Sequence, residues 1–348
     1  MSAYRLLFSH QAMVGMVLLI ALWLLIAHFL SSSRPWDTGI WSLSGVLQPH
    51  SKLTVLIWHW PFNKSLPLDG DVCARYGVAD CWLSTNRSLL HRANVVVFHH
   101  HELQSGAVRL PLAKRPPGQP WVWTNLESPS NTHGLSRYRN IFTWVMSYRR
   151  DSDIFVPYGE LVPRAGPDLP VPAKNRTAAW VISNYRRTQK RALVYSQLSK
   201  YLLIDVFGRA SRKPLCAGCL LPTLAPYRFY LAFENSQHPD YITEKLWRNA
   251  LSAGVVPVVL GPPRATYEAF LPADSFVHVD DFGSVRDLAT FLKSVNASHY
   301  QRFFAWRKRL AVRLYSDWRE RFCGVCARYP HLPQGQVYRD LEAWFKSQ

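Results

Sequence analysis

Residues 230–263 read YLAFENSQHPDYITEKLWRNALSAGVVPVVLGPP. A strand carries Glu234 and Asn235 at its end, a polar loop follows, and Thr243-Glu244-Lys245 opens a helix. Free amides at a helix start, beside a lysine, suit an anionic phosphate. The same residues also make an ordinary capped helix, with Thr243 as the cap and Glu244 favouring the dipole. Spacing alone leaves both readings open. Glu127-Ser128-Pro129 places a carboxylate before a proline, which by itself reads as a turn cap. Asp151-Ser152-Asp153 spells DxD, a pattern able to hold a divalent cation, and Asp69-Gly70-Asp71 beside Cys73 is a weaker candidate of the same kind.

Six cysteines fall into three close pairs. An even count with local spacing predicts three short disulfide loops, Cys73–Cys81, Cys216–Cys219 and Cys323–Cys326, in an oxidising compartment. A zinc site built from the two CxxC pairs would need ribbon-like spacing, which they lack. Sequons at Asn63, Asn86, Asn175 and Asn296 agree with a lumenal setting. From Met13 to Leu30 run eighteen residues without formal charge. Extended back to Phe8, the run is long enough to cross roughly 30 Å of hydrocarbon, whereas cleaved signal peptides have apolar cores of only about 7–15 residues. A buried core helix is the other alternative, but the run is apolar all round and terminal. The expected layout is a cytoplasmic tail at 1–8, a signal anchor at 9–30 and a Ser-rich stem at 31–50, with everything later in the lumen.

The elements that must position the chemistry follow from apolar runs. Hydrophobic residues make up 48% and charged residues 18% of the 348, which excludes a disordered chain and gives two domains as a prior. Lys plus Arg is 41 against 23 Asp plus Glu, a balance of +18 that favours an anionic partner. The basic residues are scattered, so no nucleic-acid tail is read. The 14 Trp suit sugar-stacking surfaces, although most Trp residues pack in cores. Leu53–Trp58, Asn94–His99 and Trp121–Thr124 read as buried strands of a parallel sheet. Prolines at 157, 163, 167, 170 and 172 predict an irregular crossing between domains. A second series follows: strands Ala178–Ser183, Leu202–Phe207, Phe229–Phe233 and Val255–Leu260, with helices Tyr185–Leu198 and Ile242–Ala253. After Val285 the chain reads as helical and basic, Tyr300–Arg319 being the longest candidate. The fold class is therefore α/β: two Rossmann-like domains, 51–160 and 174–348, facing a cleft where a ligand meets strand carboxyl ends.

The 230–263 segment resembles the donor-binding signature of the Golgi α-1,3-fucosyltransferases, which use GDP-fucose. Further motifs run in that family's order: Trp58-His59-Trp60-Pro61-Phe62, Phe98-His99-His100, Asn125-Leu126-Glu127-Ser128-Pro129, Tyr148-Arg149-Arg150-Asp151-Ser152-Asp153, Val156-Pro157-Tyr158-Gly159 and Val181-Ile182-Ser183-Asn184. The resemblance spans about Leu53 to Phe345 and is strongest to members that fucosylate sialylated N-acetyllactosamine to give sialyl Lewis x. It implies a GT-B fold, inversion at fucose, and Glu127 as the base on the acceptor hydroxyl. It implies Lys245 and Arg191 as cations on the GDP leaving group, with Asn235, Tyr241, Glu244, Ser183, Asn184, Tyr158 and Tyr230 as further donor-site positions. Acceptor-side candidates are Trp60, His99, His100 and His101. The family's fold does not use DxD to hold a catalytic metal, so the aspartates read as structural and neither metal nor cofactor is required. Implied partners are GDP-fucose, sialylated glycans on glycoproteins or glycolipids, and the Golgi membrane through a type II anchor, not nucleic acid. One departure stands at position 101, where the family usually has Arg or Trp and this chain has His101 followed by Glu102. A histidine charged in a mildly acidic lumen retains part of an arginine's role. A membrane-anchored lectin would fit the Trp content and charge equally well, but not an intact Glu127 and Glu244-Lys245. A relative acting on neutral acceptors is the nearer alternative.

Overall fold

The computed structural model describes residues 52–167, 170–216 and 218–347. The tail, anchor and stem lie outside the described residues. Among the described residues, no helix is long and apolar enough to cross a membrane.

The first sheet has six parallel strands: β1 (Leu53–Ile57), β2 (Cys81–Ser84), β3 (Val95–His99), β4 (Trp121–Asn125), β5 (Trp144–Ser147) and β6 (Ile154–Phe155). Their spatial order is β2-β1-β3-β4-β5-β6. Every residue of β3, β4 and β5 is buried, as expected of strands covered on both faces. Trp121, Trp123 and Trp144 are fully buried, so these tryptophans fill the core and are not sugar platforms. Next comes β7 (Gly159–Pro163). The second sheet is also parallel and holds β8 (Arg176–Val181), β9 (Ile204–Phe207), β10 (Tyr227–Phe233), β11 (Val256–Leu260) and β12 (Val277–His278) in the order β12-β11-β10-β8-β9. The order reverses between β1 and β3 in one sheet and between β8 and β10 in the other, and ligands bind outside the carboxyl ends at such points. Gly208 closes the β8–β9 end. Its φ is +102°, and a Cβ there would sit 2.3 Å from the Ile182 carbonyl oxygen, so only glycine lets the chain pass.

Three expectations are corrected. The proline-rich crossing contains the regular strand β7, which pairs antiparallel with β13 (Leu310–Leu314). Pro163 ends that strand opposite Leu310, where its missing N–H costs little. The helix expected over Tyr300–Arg319 is instead a helix at Ala297–Arg302, a turn, then β13, because β7 offers 310–314 a ladder partner. The closing helices, placed with the second domain from sequence, join the first sheet's core. Trp318–Arg328 packs on β1 and β2, and Phe345 of the Leu341–Lys346 helix is buried with its ring 5.0 Å from that of Trp123.

The disulfides follow from this return. Cys216–Cys219 is bonded as expected. The other two cross the chain, Cys73–Cys323 and Cys81–Cys326, replacing the expected Cys73–Cys81 and Cys323–Cys326. Cys323 and Cys326 lie one helical turn apart on the face turned to the sheet, so each meets a partner across the interface. The Cα–Cα spans of 5.4 and 5.8 Å are ordinary for disulfides. The sulfurs of Cys73, Cys81 and Cys323 all lie within 4.8 Å of one another, so one cluster holds both close pairs.

Candidate active site

β4 ends at Asn125, and the chain turns directly into Leu126-Glu127-Ser128. Asn125 holds that turn: its Oδ1 accepts the Glu127 amide at 3.2 Å and its Nδ2 donates to Thr132 Oγ1 at 2.8 Å. Thr132 Oγ1 donates onward to the Ser128 carbonyl at 2.8 Å. This buried net sets the backbone beneath Glu127, whose carboxylate stays half-buried. Oε2 accepts from the Tyr241 hydroxyl and from Asn131 Nδ2, each at 3.3 Å. Two more bonds tie the loop to the segment after β10. Ser236 Oγ donates to Ser128 Oγ at 2.6 Å, and Ser130 Oγ lies 2.7 Å from His238 Nε2. Glu127 thus stands where a loop of the first sheet meets a loop of the second.

Glu127 lines a cavity of about 180 Å³ together with Phe62, His99, His101, Tyr158, Trp318 and Arg321. Phe62 has a φ of 56°, an uncommon conformation for a bulky residue. Glu102 holds it there: Oε1 accepts the Phe62 amide and Oε2 accepts His99 Nδ1, both at 2.6 Å. Burial opposes charge on Glu102, yet these hydrogen bonds outweigh it and keep the carboxyl below its ordinary range. Burial lowers the His99 pKa, so the pair is a neutral imidazole donating to a carboxylate. The Phe62 ring leans on His99 and His101, 5.0 Å from each.

The other acceptor-side candidates lie elsewhere. His100 accepts from Trp123 Nε1 at 3.1 Å, and its Nε2 bonds the His133 carbonyl and Gln104 Oε1. Burial drives its pKa down to about 4, and it is a core histidine. Trp60 packs against Phe322 at 5.9 Å. Trp318 and Arg321 enter the cavity from the chain's far end. Arg321 is 6% exposed and donates through Nε and Nη2 to the Tyr315 carbonyl, and burial lowers its pKa to about 10.

The second half of the site is built from β8, β10 and the starts of two helices. Glu234 lies just past β10 and is buried. Its Oε1 accepts the Thr243 amide at 2.8 Å, and the Thr243 hydroxyl reaches both carboxylate oxygens. The helix over Lys245–Ser252 has no side-chain cap at Glu244, and the Thr243 hydroxyl, a candidate cap from the sequence, is committed to Glu234 instead. Lys245 Nζ lies 3.0 Å from Glu234 Oε2 and 3.3 Å from Glu244 Oε1. Burial disfavours its charge, but the two carboxylates outweigh burial and lift its pKa above the usual lysine value. Burial pushes the Glu234 carboxyl up against the pull of Lys245, whereas in Glu244 the pull of Lys245 prevails and lowers it.

Arg191 opens the Lys190–Leu198 helix, donates through Nη2 to the Asn184 carbonyl, and bonds Gln189 Oε1 at 2.9 Å. Burial lowers its pKa, while Glu234, Tyr241 and Glu244 act the other way, so these groups share one electrostatic neighbourhood. Ser183 and Asn184 are exposed just past β8. Asn235 Oδ1 accepts Ser236 Oγ at 2.9 Å. Tyr158 donates to the Leu126 carbonyl at 2.6 Å, and burial and then Glu244 and Glu127 raise its pKa. It lies between the two halves. Tyr230 is set apart: fully buried on β10, its hydroxyl accepts Asn249 Nδ2 at 3.0 Å, so it supports the site from the core.

A carboxylate past one strand end, cations past another and a small cavity between them are the parts that a group transfer onto a hydroxyl would use. The profile described as fucosyltransferase, N-terminal, matches residues 50–159, and that of glycosyltransferase family 10 (fucosyltransferase), C-terminal, matches residues 171–344. The chain belongs to glycosyltransferase family 10. It is 64% identical over 336 residues to human alpha-(1,3)-fucosyltransferase 7, covering 96% of this chain and 95% of that one. It is 69% identical over 300 residues to the mouse alpha-(1,3)-fucosyltransferase 7, covering 86% and 77%. A crystal structure of an alpha1,3-fucosyltransferase with GDP-fucose matches with a TM-score of 0.53 at 16% identity, over 83% of this chain and 92% of that one. At that distance the likeness is one of fold, two parallel α/β sheets in the GT-B manner.

Both DxD aspartates have partners within the protein. Asp151 is chelated by Arg149 through contacts of 2.8 and 2.7 Å. Asp153 accepts the Val145 amide and the Tyr338 hydroxyl at 2.8 Å and Gln336 at 3.1 Å. Asp71 is likewise engaged by Lys52 and the Ala74 amide. Sequence reasoning missed Phe62, Glu102, Trp318 and Arg321 as site residues. Phe62 stood inside a quoted motif and Glu102 beside the His99–His101 run, so both carried a signal. Trp318 and Arg321 carried none, because the whole chain after Val285 read as helical and basic, with no residue there singled out.

Proposed function

We propose that this protein is an inverting α-1,3-fucosyltransferase that moves L-fucose from GDP-β-L-fucose to O3 of GlcNAc in sialylated N-acetyllactosamine, forming sialyl Lewis x. The observation that carries the reading is the convergence of Glu127 with the Lys245, Glu244 and Arg191 cluster through Tyr241 and Tyr158. Glu127 takes the proton of the acceptor hydroxyl as its oxygen attacks fucose C1 from the face opposite GDP. The bond from C1 to the diphosphate oxygen breaks with its electron pair. Lys245 and Arg191 receive the charge left on GDP, work that a metal does elsewhere, so no divalent cation is required. Asn235, Ser183 and Asn184 face the donor from the strand ends, while the first sheet's cavity takes the acceptor. The names of the human and mouse relatives support the linkage.

The setting we infer is the Golgi lumen, with residues 9–30 as a type II anchor. The uncharged apolar run and three disulfides support it. The test is incubation of the full-length protein with GDP-fucose and paired sialylated and neutral N-acetyllactosamine. Fucosylated sialyl product and stoichiometric GDP are expected. Absence of transfer to both acceptors overturns the reading.

A further inference from the structure

A second cavity is lined by connections of the same sheet. It measures about 660 Å³ and is lined by Trp58, Arg87, Ser88, His91, Leu112 and Lys114 among others, with no carboxylate in its lining. Arg87 follows the carboxyl end of β2. Its guanidinium stacks 4.7 Å over the Trp58 ring, and its Nε donates to the Trp58 carbonyl at 3.0 Å. Stacking and that bond orient the fork, while both terminal nitrogens keep their donors free among the described residues. Among those residues, no carboxylate lies within ion-pairing distance of Arg87.

Two neighbouring groups also lack partners. The Trp58 indole N–H, on a residue 9% exposed, is buried without a hydrogen bond, and so are both ring nitrogens of His59. Buried polar groups are almost always satisfied, so unpaired ones point to a ligand or a water.

The two cavities are joined by one segment. Trp58 lines this one, and Phe62, four residues on, lines the cavity of Glu127. The Arg87 guanidinium sits on Trp58, just past β1, and Glu127 follows β4, two places away in the order β2-β1-β3-β4. At about 4.8 Å per strand that is roughly 10 Å. Two linkages separate the reacting GlcNAc of a trisaccharide from its terminal sugar, and at about one strand spacing each they cover the same span, so a trisaccharide with its GlcNAc at Glu127 brings its terminal sugar to Arg87.

We propose that the Trp58–Arg87 cavity is the subsite for the terminal sialic acid of the acceptor, with the Arg87 fork holding its carboxylate and Trp58 supporting the fork and the sugar. The assignment rests on the sialylated-acceptor reading and makes Arg87 its specificity-determining residue. Lys114 and His91 complete a wall without competing acceptors.

The test compares the full-length wild type with Arg87→Gln, Arg87→Lys and Lys114→Gln, using kcat/KM on sialylated and neutral N-acetyllactosamine. The expected result for Arg87→Gln is a fall of at least ten-fold in the sialylated-to-neutral ratio, mostly in the KM of the sialylated acceptor. Arg87→Lys recovers part of that loss, since a point charge replaces a fork. Lys114→Gln lowers the ratio by a smaller factor, which keeps the subsite testable if Arg87→Gln fails to fold. A wild-type preference that persists in Arg87→Gln overturns the subsite alone, as does an equal loss on both acceptors. A wild type that transfers to neither acceptor overturns the underlying reading instead.

Discussion

At the residue scale, the site depends on charges held in unusual company. Glu127→Gln keeps the shape of the side chain and removes the base. Turnover is expected to fall by about 10²–10⁴-fold while GDP affinity by calorimetry changes little. Equal turnover in the variant would remove Glu127 from the mechanism. Lys245 lies between Glu234 and Glu244, and the proposed mechanism also turns it to the GDP diphosphate. Lys245→Ala therefore weakens GDP binding, slows transfer and lowers the melting temperature together, as two crowded carboxylates lose their cation. A variant that lost activity at an unchanged melting temperature would argue against a role in separating the two carboxylates. Burial drives His59 and His100 from the ordinary 6.5 down to about 4. Their native pKa lies below the unfolded one, so below pH 6.5 the unfolded chain binds protons that the native state refuses. Stability from this source is full above pH 6.5 and is lost as pH falls towards 4. Melting curves from pH 7.5 to 4.5 check it, and a flat profile would contradict it.

At the element scale, the helix over Trp318–Arg328 and the one over Leu341–Lys346 act as parts of the first sheet. They supply Trp318 and Arg321 to the cavity of Glu127, anchor two disulfides, and bury Phe345 against Trp123. Phe345→Ala should destabilise the protein by about 3–5 kcal/mol, measured by denaturant unfolding. A loss below about 1 kcal/mol would mean that the terminal helix is dispensable. The short loop that holds Glu127 is also supported from outside its own sheet, by Ser236, His238 and Tyr241. This tie makes the position of Glu127 depend on how the β10 loop is set.

At the scale of the whole molecule, the balance of +18 has two consequences that experiments separate. General steering of a sialylated glycan is screened as salt approaches 1 M, where the Debye length is about 3 Å. A guanidinium fork in a cavity is screened less, so the acceptor preference should narrow with salt but survive it. The ratio of kcat/KM for the two acceptors at low and high ionic strength reports this, and complete loss at high salt would leave only steering. The same cationic design predicts that transfer survives EDTA. If chelation stopped turnover and Mn²⁺ restored it, the assignment of diphosphate charge to Lys245 and Arg191 would fall.

Much of this was legible along the chain. The buried strands announced themselves as runs of Val, Ile and aromatic residues, whereas spacing around Glu244-Lys245 left a capped helix and a phosphate site equally open, and the roles proposed for it and for Glu127 came from the family resemblance. Such features are local: apolar periodicity, turn chemistry and short spacing are written within a few residues. The Cys216–Cys219 bond was readable for the same reason. Tertiary structure alone decided which of His99, His100 and His101 face the cavity, because one short helix sends adjacent side chains in different directions. It alone decided that β13 finds β7, that Cys323 and Cys326 cross to Cys73 and Cys81, and that Arg321 joins Glu127. Those outcomes are contacts between segments some 150 to 250 residues apart. Their free energy lies in pairing and packing between distant residues, which no short stretch of sequence contains.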